Sequence, residues 1–196
     1  MKGFVEVNRK TTETNICMKV NIAGTGQHAI STGIPFFDHM LELFAAHGFF
    51  DLYLEAKGDL QIDSHHTVED VGLVLGDLFN KALGDRKGIK RYGHALVPMD
   101  EALTSVSIDL SKRPFLVYNV PEPLSSNYNF DIYLAKEFFR AFATKGGMNL
   151  HINVYYGENE HHIIESIFKA LGKALDDATI VDSRIKEVCS TKGILG

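Results

Sequence analysis

The segment His65-His66-Thr67-Val68-Glu69 returns as His161-His162-Ile163-Ile164-Glu165, an HHxxE word written twice, 96 positions apart, in a chain of 196 residues. A repeat at half the chain length demands two copies of one structural unit. It constrains the chemistry as well. On an α-helix, residues i and i+4 share a face while i+1 is turned about 100° away. The first His and the Glu of each word therefore point at one ion, and the middle His swings toward a second. Two such helices offer four imidazoles and two carboxylates without a thiolate. That set suits Mn, Fe, Zn or Ni, and carboxylate-rich octahedral sites lean toward Mn. The word is not the metalloprotease HExxH, because no Glu sits between two histidines four apart.

The repeat extends beyond the two words. Alternation marks Ile16, Met18, Val20 and Ile22 as one strand face, and Val106, Ile108 and Leu110 repeat it. Gly24-Thr25-Gly26 and Ser111-Lys112-Arg113-Pro114 are turn-like, and each leads into an extended run, 27–32 or 115–120, which predicts matched hairpins. Amphipathic patterns predict helices over 35–47 and 131–145, then strands over 51–55 and 150–155, then the two HHxxE helices. Asp63 or Ser64, and Asn159, are the expected N-caps.

Superimposing the words pairs Leu75 with Leu171 and Gly76 with Gly172. With a two-residue gap upstream, Phe44-Ala45 pairs with Phe142-Ala143, Gly48 with Gly146, and His39 with Glu137. The last pair sets one potential ligand opposite another. The expected fold is α+β: a duplicated β-β-β-α-β-α unit, halves 1–88 and 89–196, joined near Gly84 to Gly88. Each half is two-layered, with helices on one face of a mainly antiparallel sheet. Ligands projecting from such helices need a partner, which is the other half, another subunit or both; closed homo-oligomers are the commonest completion.

Composition sets the remaining bounds. A formal charge of -5 gives no general attraction to nucleic acid or anionic membrane, so any phosphate site must be local. Cys17 and Cys189 are too few and too far apart for a disulfide framework or a Cys-based zinc site, and a reducing cytoplasm is the natural compartment. Met1 to Lys10 lacks the apolar core of a signal peptide, and no stretch approaches the roughly 18 apolar residues of a membrane span.

Further chemistry-bearing residues lie outside the words. Asp38 is placed to orient the imidazole of His39. His28, His94 and His151 read as surface or packing residues, and His47, ending the first helix, complements the helix dipole. Arg91, Arg113 and the Ser190-Thr191-Lys192-Gly193 tail sit in loop-like contexts and together form a candidate phosphate cradle. Glu13 and the Asp100-Glu101 pair, at strand ends, are acid-base candidates between which composition does not choose.

GIPFFDHML at 33–41, DSHHTVEDVGLVLG at 63–76, RYG and PMDEAL within 91–103, DLSKRP at 109–114, HHIIESIFKALGKAL at 161–175 and STKG at 190–193 resemble the imidazoleglycerol-phosphate dehydratase family, in its monofunctional form. The resemblance implies dehydration of D-erythro-1-(imidazol-4-yl)glycerol 3-phosphate to 3-(imidazol-4-yl)-2-oxopropyl phosphate in histidine biosynthesis. It implies a ribosomal protein S5 domain 2-like duplicated fold, a homo-oligomer of 24 subunits with sites at subunit interfaces, and two Mn ions per active site. Carried over residue by residue, one metal takes His39, His66, His161 and Glu165. The other takes His65, Glu69, His162 and Glu137. Glu13 becomes the proton-transfer group, while His47, Arg91, Arg113, Ser190, Thr191 and Lys192 bind the imidazole phosphate substrate. The chain departs from the family pattern at Glu137, where some members have His, at Leu43, often Gln, and at Lys112, commonly Gly. On the residues alone, a dinuclear metallohydrolase and a non-enzymatic, metal-structured shell protein are the rival readings.

Overall fold

The computed structural model describes residues 3–121 and 130–196; Met1 and Lys2 of the N-terminal stretch read above lie outside them. The first half runs β1 (Val5–Lys10), β2 (Thr14–Asn21), β3 (His28–Ser31), α1 (Pro35–His47), β4 (Asp51–Gly58) and α2 (His65–Leu83). The second repeats it as β5 (Tyr92–Met99), β6 (Ala102–Asp109), β7 (Phe115–Asn119), α3 (Ile132–Gly146), β8 (Asn149–Tyr156) and α4 (Glu160–Thr179). The duplicated β-β-β-α-β-α order is the expected one. α1 and α3 start and stop within one residue of their predicted spans, and α2 and α4 begin at the two HHxxE words, because local signals mark these ends. Pro35 opens α1, Asp131 accepts from the Tyr133 and Leu134 amides at the start of α3, and Gly147 closes α3 with φ 58°.

The sheets have matching orders, β1-β2-β4-β3 and β5-β6-β8-β7. Ile16, Met18 and Val20 stand opposite Ala56, Leu54 and Leu52 in the antiparallel β2–β4 ladder, and all six are buried. Period-two alternation thus becomes one apolar sheet face. The predicted hairpins are corrected: β2 and β3 are not neighbours, since β4 lies between them and β3 runs parallel to β4. Hydrogen bonding explains the detour. Asp51 Oδ1, at the start of β4, accepts from the Thr25 amide at 2.8 Å and the Gln27 amide at 3.1 Å, so the turn wraps over β4 and delivers β3 to its far edge. The true hairpins are β1–β2 and β5–β6, both antiparallel with short turns.

The helices of each half cover one face of their own sheet, and the two helical faces then meet, α2 on α3 and α1 on α4. The order of layers is sheet, helices, sheet. Gly76 lies against the Phe142 carbonyl and the Gly146 amide, while Gly172 lies against the Phe44 carbonyl and the Gly48 amide. The two contacts are therefore equivalents under the sequence repeat, which matches Gly76 with Gly172, Phe142 with Phe44 and Gly146 with Gly48. Around them Phe37, Phe44, Phe79, Phe138, Phe142 and Phe168 are all at most 1% exposed. Many meet edge to face, as Phe79 and Phe142 do at 5.7 Å.

Arg86, after α2, crosses to the second half. It is 1% exposed, and its guanidinium donates to the Gly147 and Gly146 carbonyls at 2.7 and 2.6 Å, closing the end of α3. Burial lowers its pKa to about 10. Among the described residues, no helix is long and apolar enough to cross a membrane.

Candidate metal centre

Both HHxxE helices are pinned at their first histidine. Asp63 Oδ1 accepts from the His65 amide at 2.8 Å, and Asn159 Oδ1 accepts from the His161 amide at 2.9 Å. Ser64 holds the N-cap position of α2, but its side chain makes no cap hydrogen bond; Asp63 supplies it. From these starts, His161 and Glu165 lie one turn apart on α4, with Nε2 to Oε2 at 3.0 Å. Because α1 packs on α4, His39 Nε2 stands 3.6 Å from the same Glu165 oxygen. The ligand atoms of His39, His161 and Glu165 all lie within 4.8 Å of one another. Donors held about 2.1 Å from a shared ion and at right angles stand about 3 Å apart, so two imidazole nitrogens and one carboxylate oxygen at these separations fit a divalent cation.

Glu165 is built to stay ionised. Burial alone would raise its pKa, yet Lys169 and His161 hold it below the ordinary carboxylate value. The Lys169 ammonium donates to Oε1 at 2.6 Å, leaving Oε2 to face the two imidazoles. Lys169 was missed from sequence, although its i+4 spacing from Glu165 was the available signal. Asp38 does not orient His39 as expected. Its Oδ1 accepts from the Thr32 amide and hydroxyl, fixing the entry to α1 instead.

The matching set from the other helix pair is more open. His65 Nε2 is 3.8 Å from Glu69 Oε2, and His65 and Glu137 line one cavity of about 590 Å³. Glu137 Oε1 accepts from Arg140 at 2.6 Å. The middle histidines join neither group. His66 Nδ1 is 3.0 Å from Asp59 Oδ2, with Glu13 Oε1 3.9 Å from Nε2. His162 Nδ1 is 2.6 Å from Glu101 Oε2, with Asp100 Oδ2 3.7 Å from Nε2. The Asp59 contact raises the pKa of His66, and the bond from His162 lowers that of Glu101 to about 2. Asp59 carried no sequence signal. Glu101 was visible only as half of an acidic pair.

A separate cavity of about 480 Å³ gathers the five expected phosphate residues, Arg91, Arg113, Ser190, Thr191 and Lys192. Arg91 is 8% exposed and grips Asp109 with two bonds, Nε to Oδ1 at 2.6 Å and a terminal nitrogen to Oδ2 at 3.0 Å. Its other terminal nitrogen donates to the Cys189 carbonyl at 2.6 Å, tying the C-terminal tail to the cavity. The tail residues are near the arginines because Arg91 holds them there. His47 is half-buried, and burial, then Lys169 and Lys173, lowers its pKa. His28, His94 and His151 are exposed and join no ligand group among the described residues.

Residues 32–175 match the family model described as imidazoleglycerol-phosphate dehydratase. A protein of that description from Desulfosudis oleivorans is 62% identical over 195 residues, covering 100% of both chains. One from Acetivibrio thermocellus is 57% identical, covering 97% of each. The crystal structure of imidazoleglycerol-phosphate dehydratase from Staphylococcus aureus superposes with TM-score 0.83 at 36% identity, over 92% of this chain and 100% of that one. The Pyrococcus furiosus structure gives 0.84, also at 36% identity, over 96% and 100%. A shared fold, near-complete coverage and this level of identity place the molecule: the chain belongs to the imidazoleglycerol-phosphate dehydratase family, hydro-lyases of histidine biosynthesis.

Proposed function

We propose that this chain carries out Mn-dependent dehydration of D-erythro-1-(imidazol-4-yl)glycerol 3-phosphate to 3-(imidazol-4-yl)-2-oxopropyl phosphate. The observation that carries the reading is the convergence of His39, His161 and Glu165 within 4.8 Å, with Glu165 kept ionised by Lys169 and His161. His39, His66, His161 and Glu165 hold one Mn, and His65, Glu69, Glu137 and His162 hold the other. Bound Mn supplies Lewis acidity and a template for the substrate imidazole. His39, His161 and Glu165 converge within one chain, and His65 stands 3.8 Å from Glu69 and lines a cavity with Glu137, whereas His66 and His162 stand with carboxylates of their own. A neighbouring copy therefore supplies each fourth ligand, which favours the closed 24-subunit assembly with sites at its interfaces. The compartment is the cytoplasm.

The remaining residues position the substrate and move its proton. Arg91, Arg113, Ser190, Thr191 and Lys192 take the phosphate with charge-assisted hydrogen bonds, and His47 adds a contact nearer the ring. Fixing both ends of the glycerol chain presents the C2 hydrogen to Glu13, which takes that proton as the hydroxyl on C1, the carbon beside the ring, leaves as hydroxide; that hydroxide and that proton make up the water lost. Its position 3.9 Å from the His66 imidazole sets Glu13 beside a metal ligand. The resulting enol ketonises. Mass spectrometry after incubation with substrate and Mn tests the reaction: the product should be lighter by one water with its phosphate attached. Release of inorganic phosphate would assign the chain to the hydrolases instead.

A further inference from the structure

The two middle histidines share an arrangement that the sequence repeat does not account for. Each presents Nδ1 to a carboxylate at hydrogen-bond distance, His66 to Asp59 at 3.0 Å and His162 to Glu101 at 2.6 Å. Each leaves Nε2 with its nearest carboxylate outside that range, at 3.9 Å from Glu13 and 3.7 Å from Asp100. The two Nδ1 partners are not repeat equivalents. Asp59 directly follows β4, whereas Glu101 sits in the turn between β5 and β6. At the 98-residue offset that relates β4 to β8, Gly157 stands where Asp59 would have its match.

The two carboxylates are held differently, Glu101 by hydrogen bonds and Asp59 by burial, its Oδ1 having no hydrogen-bond partner among the described residues. Glu101 Oε1 accepts from the Glu158 and Asn159 amides at 3.2 and 2.8 Å, so the residue is tied to the start of α4 and Oε2 is committed to His162. The Asp59 side chain is 13% exposed, half-way under the start of α2, with Oδ2 turned to His66. A carboxylate accepting the Nδ1 proton of an imidazole fixes the tautomer that carries its lone pair on Nε2.

We propose that Asp59 and Glu101 are positioning residues, one for each metal, that hold His66 and His162 as Nε2 ligands. Asp59 acts on the ion taken by His39, His161 and Glu165, and Glu101 on the ion taken by His65, Glu69 and Glu137. This rests on the two-metal reading above. Its consequence is selectivity: removing one carboxylate weakens one ion and spares the other.

Mn titration of chelator-stripped protein, read by the electron paramagnetic resonance signal of free Mn, tests this without an activity assay. Wild type should take two Mn per chain. Asp59→Ala and Glu101→Ala should each keep one equivalent at wild-type affinity and bind the other roughly ten- to a hundred-fold more weakly, the usual effect of losing such a partner. Asp59→Asn and Glu101→Gln keep an acceptor oxygen for Nδ1 and should recover most of that loss. Native mass and melting of the stripped protein identify a misfolded variant. If Asp59→Ala fails to assemble, Glu101→Ala, on an exposed turn, carries the same test for the other ion. Two equivalents at wild-type affinity in both Ala variants, or equal weakening of both equivalents in each, overturns the proposal. A wild-type chain that takes fewer than two Mn overturns the two-metal reading, and this inference with it.

Discussion

Gly76 packs against the main-chain carbonyl of Phe142 so closely that a Cβ on it would stand 2.6 Å from that oxygen. Gly172 meets the Phe44 carbonyl with the same 2.6 Å clearance. These two crossings set the positions of α1 and α3, and hence of His39 and Glu137, against the HHxxE helices.

Two effects oppose each other in Gly76→Ala and Gly172→Ala. Alanine gains about 1 kcal/mol of helix propensity. Overpacking against main chain, which cannot rotate away, costs about 1–3 kcal/mol and more when helices must separate. The clash should win. Each variant is expected to melt several degrees lower, at about 2–4 °C per kcal/mol for a chain of this size. A melting temperature at or above wild type in a thermal scan would contradict the close crossing.

Arg86→Leu removes the buried guanidinium that closes α3 and leaves the Gly146 carbonyl without that donor, while the Gly147 carbonyl keeps the Lys112 amide at 2.8 Å. An unsatisfied buried acceptor costs about 1–3 kcal/mol. A loss of about 1–3 kcal/mol in denaturant unfolding is expected, and a change under about 0.5 kcal/mol would remove Arg86 from this role.

His47 gives a stability contribution with a definite sign. Its folded pKa lies below the ordinary 6.5, so as the pH falls the unfolded chain takes up the proton first. Stability present above pH 6.5 is therefore lost as the pH falls through that value and on through the folded one. In metal-stripped protein, the difference in melting temperature between wild type and His47→Gln should shift against wild type as the pH is lowered from 7.5 to 5. A difference independent of pH would contradict the assigned burial.

Much of this molecule was legible in its residues because its signals are local. Pro35, Asp131 and Gly147 mark helix ends, and period-two alternation marks β2 and β6. The duplicated words pointed to the ligand faces, and the Gly76 and Gly172 pairing pointed to what became the crossings. Strand order was not legible, since the route of β3 depends on Asp51 capturing a turn some 24 residues earlier in the chain. Asp59, Glu101 and Asp109 act through long-range contacts that no periodicity encodes, whereas Lys169 pairs with Glu165 at the local i+4 spacing of a helix. Lys112 has φ 63°, a left-handed conformation that glycine adopts without strain.

Glu13→Gln keeps the shape of the side chain and removes its basicity. Mn binding and substrate KM should stay near wild type while kcat falls by about 10²–10⁴, the range for a lost general base. A kcat within a few-fold of wild type would exclude Glu13 from proton transfer.

Mn content measured alongside turnover of imidazoleglycerol phosphate bears most directly on the metal-dependent dehydration. Active protein should hold two Mn per chain, lose turnover on treatment with chelator, and regain both when Mn is returned. Undiminished turnover by protein stripped of metal would contradict it.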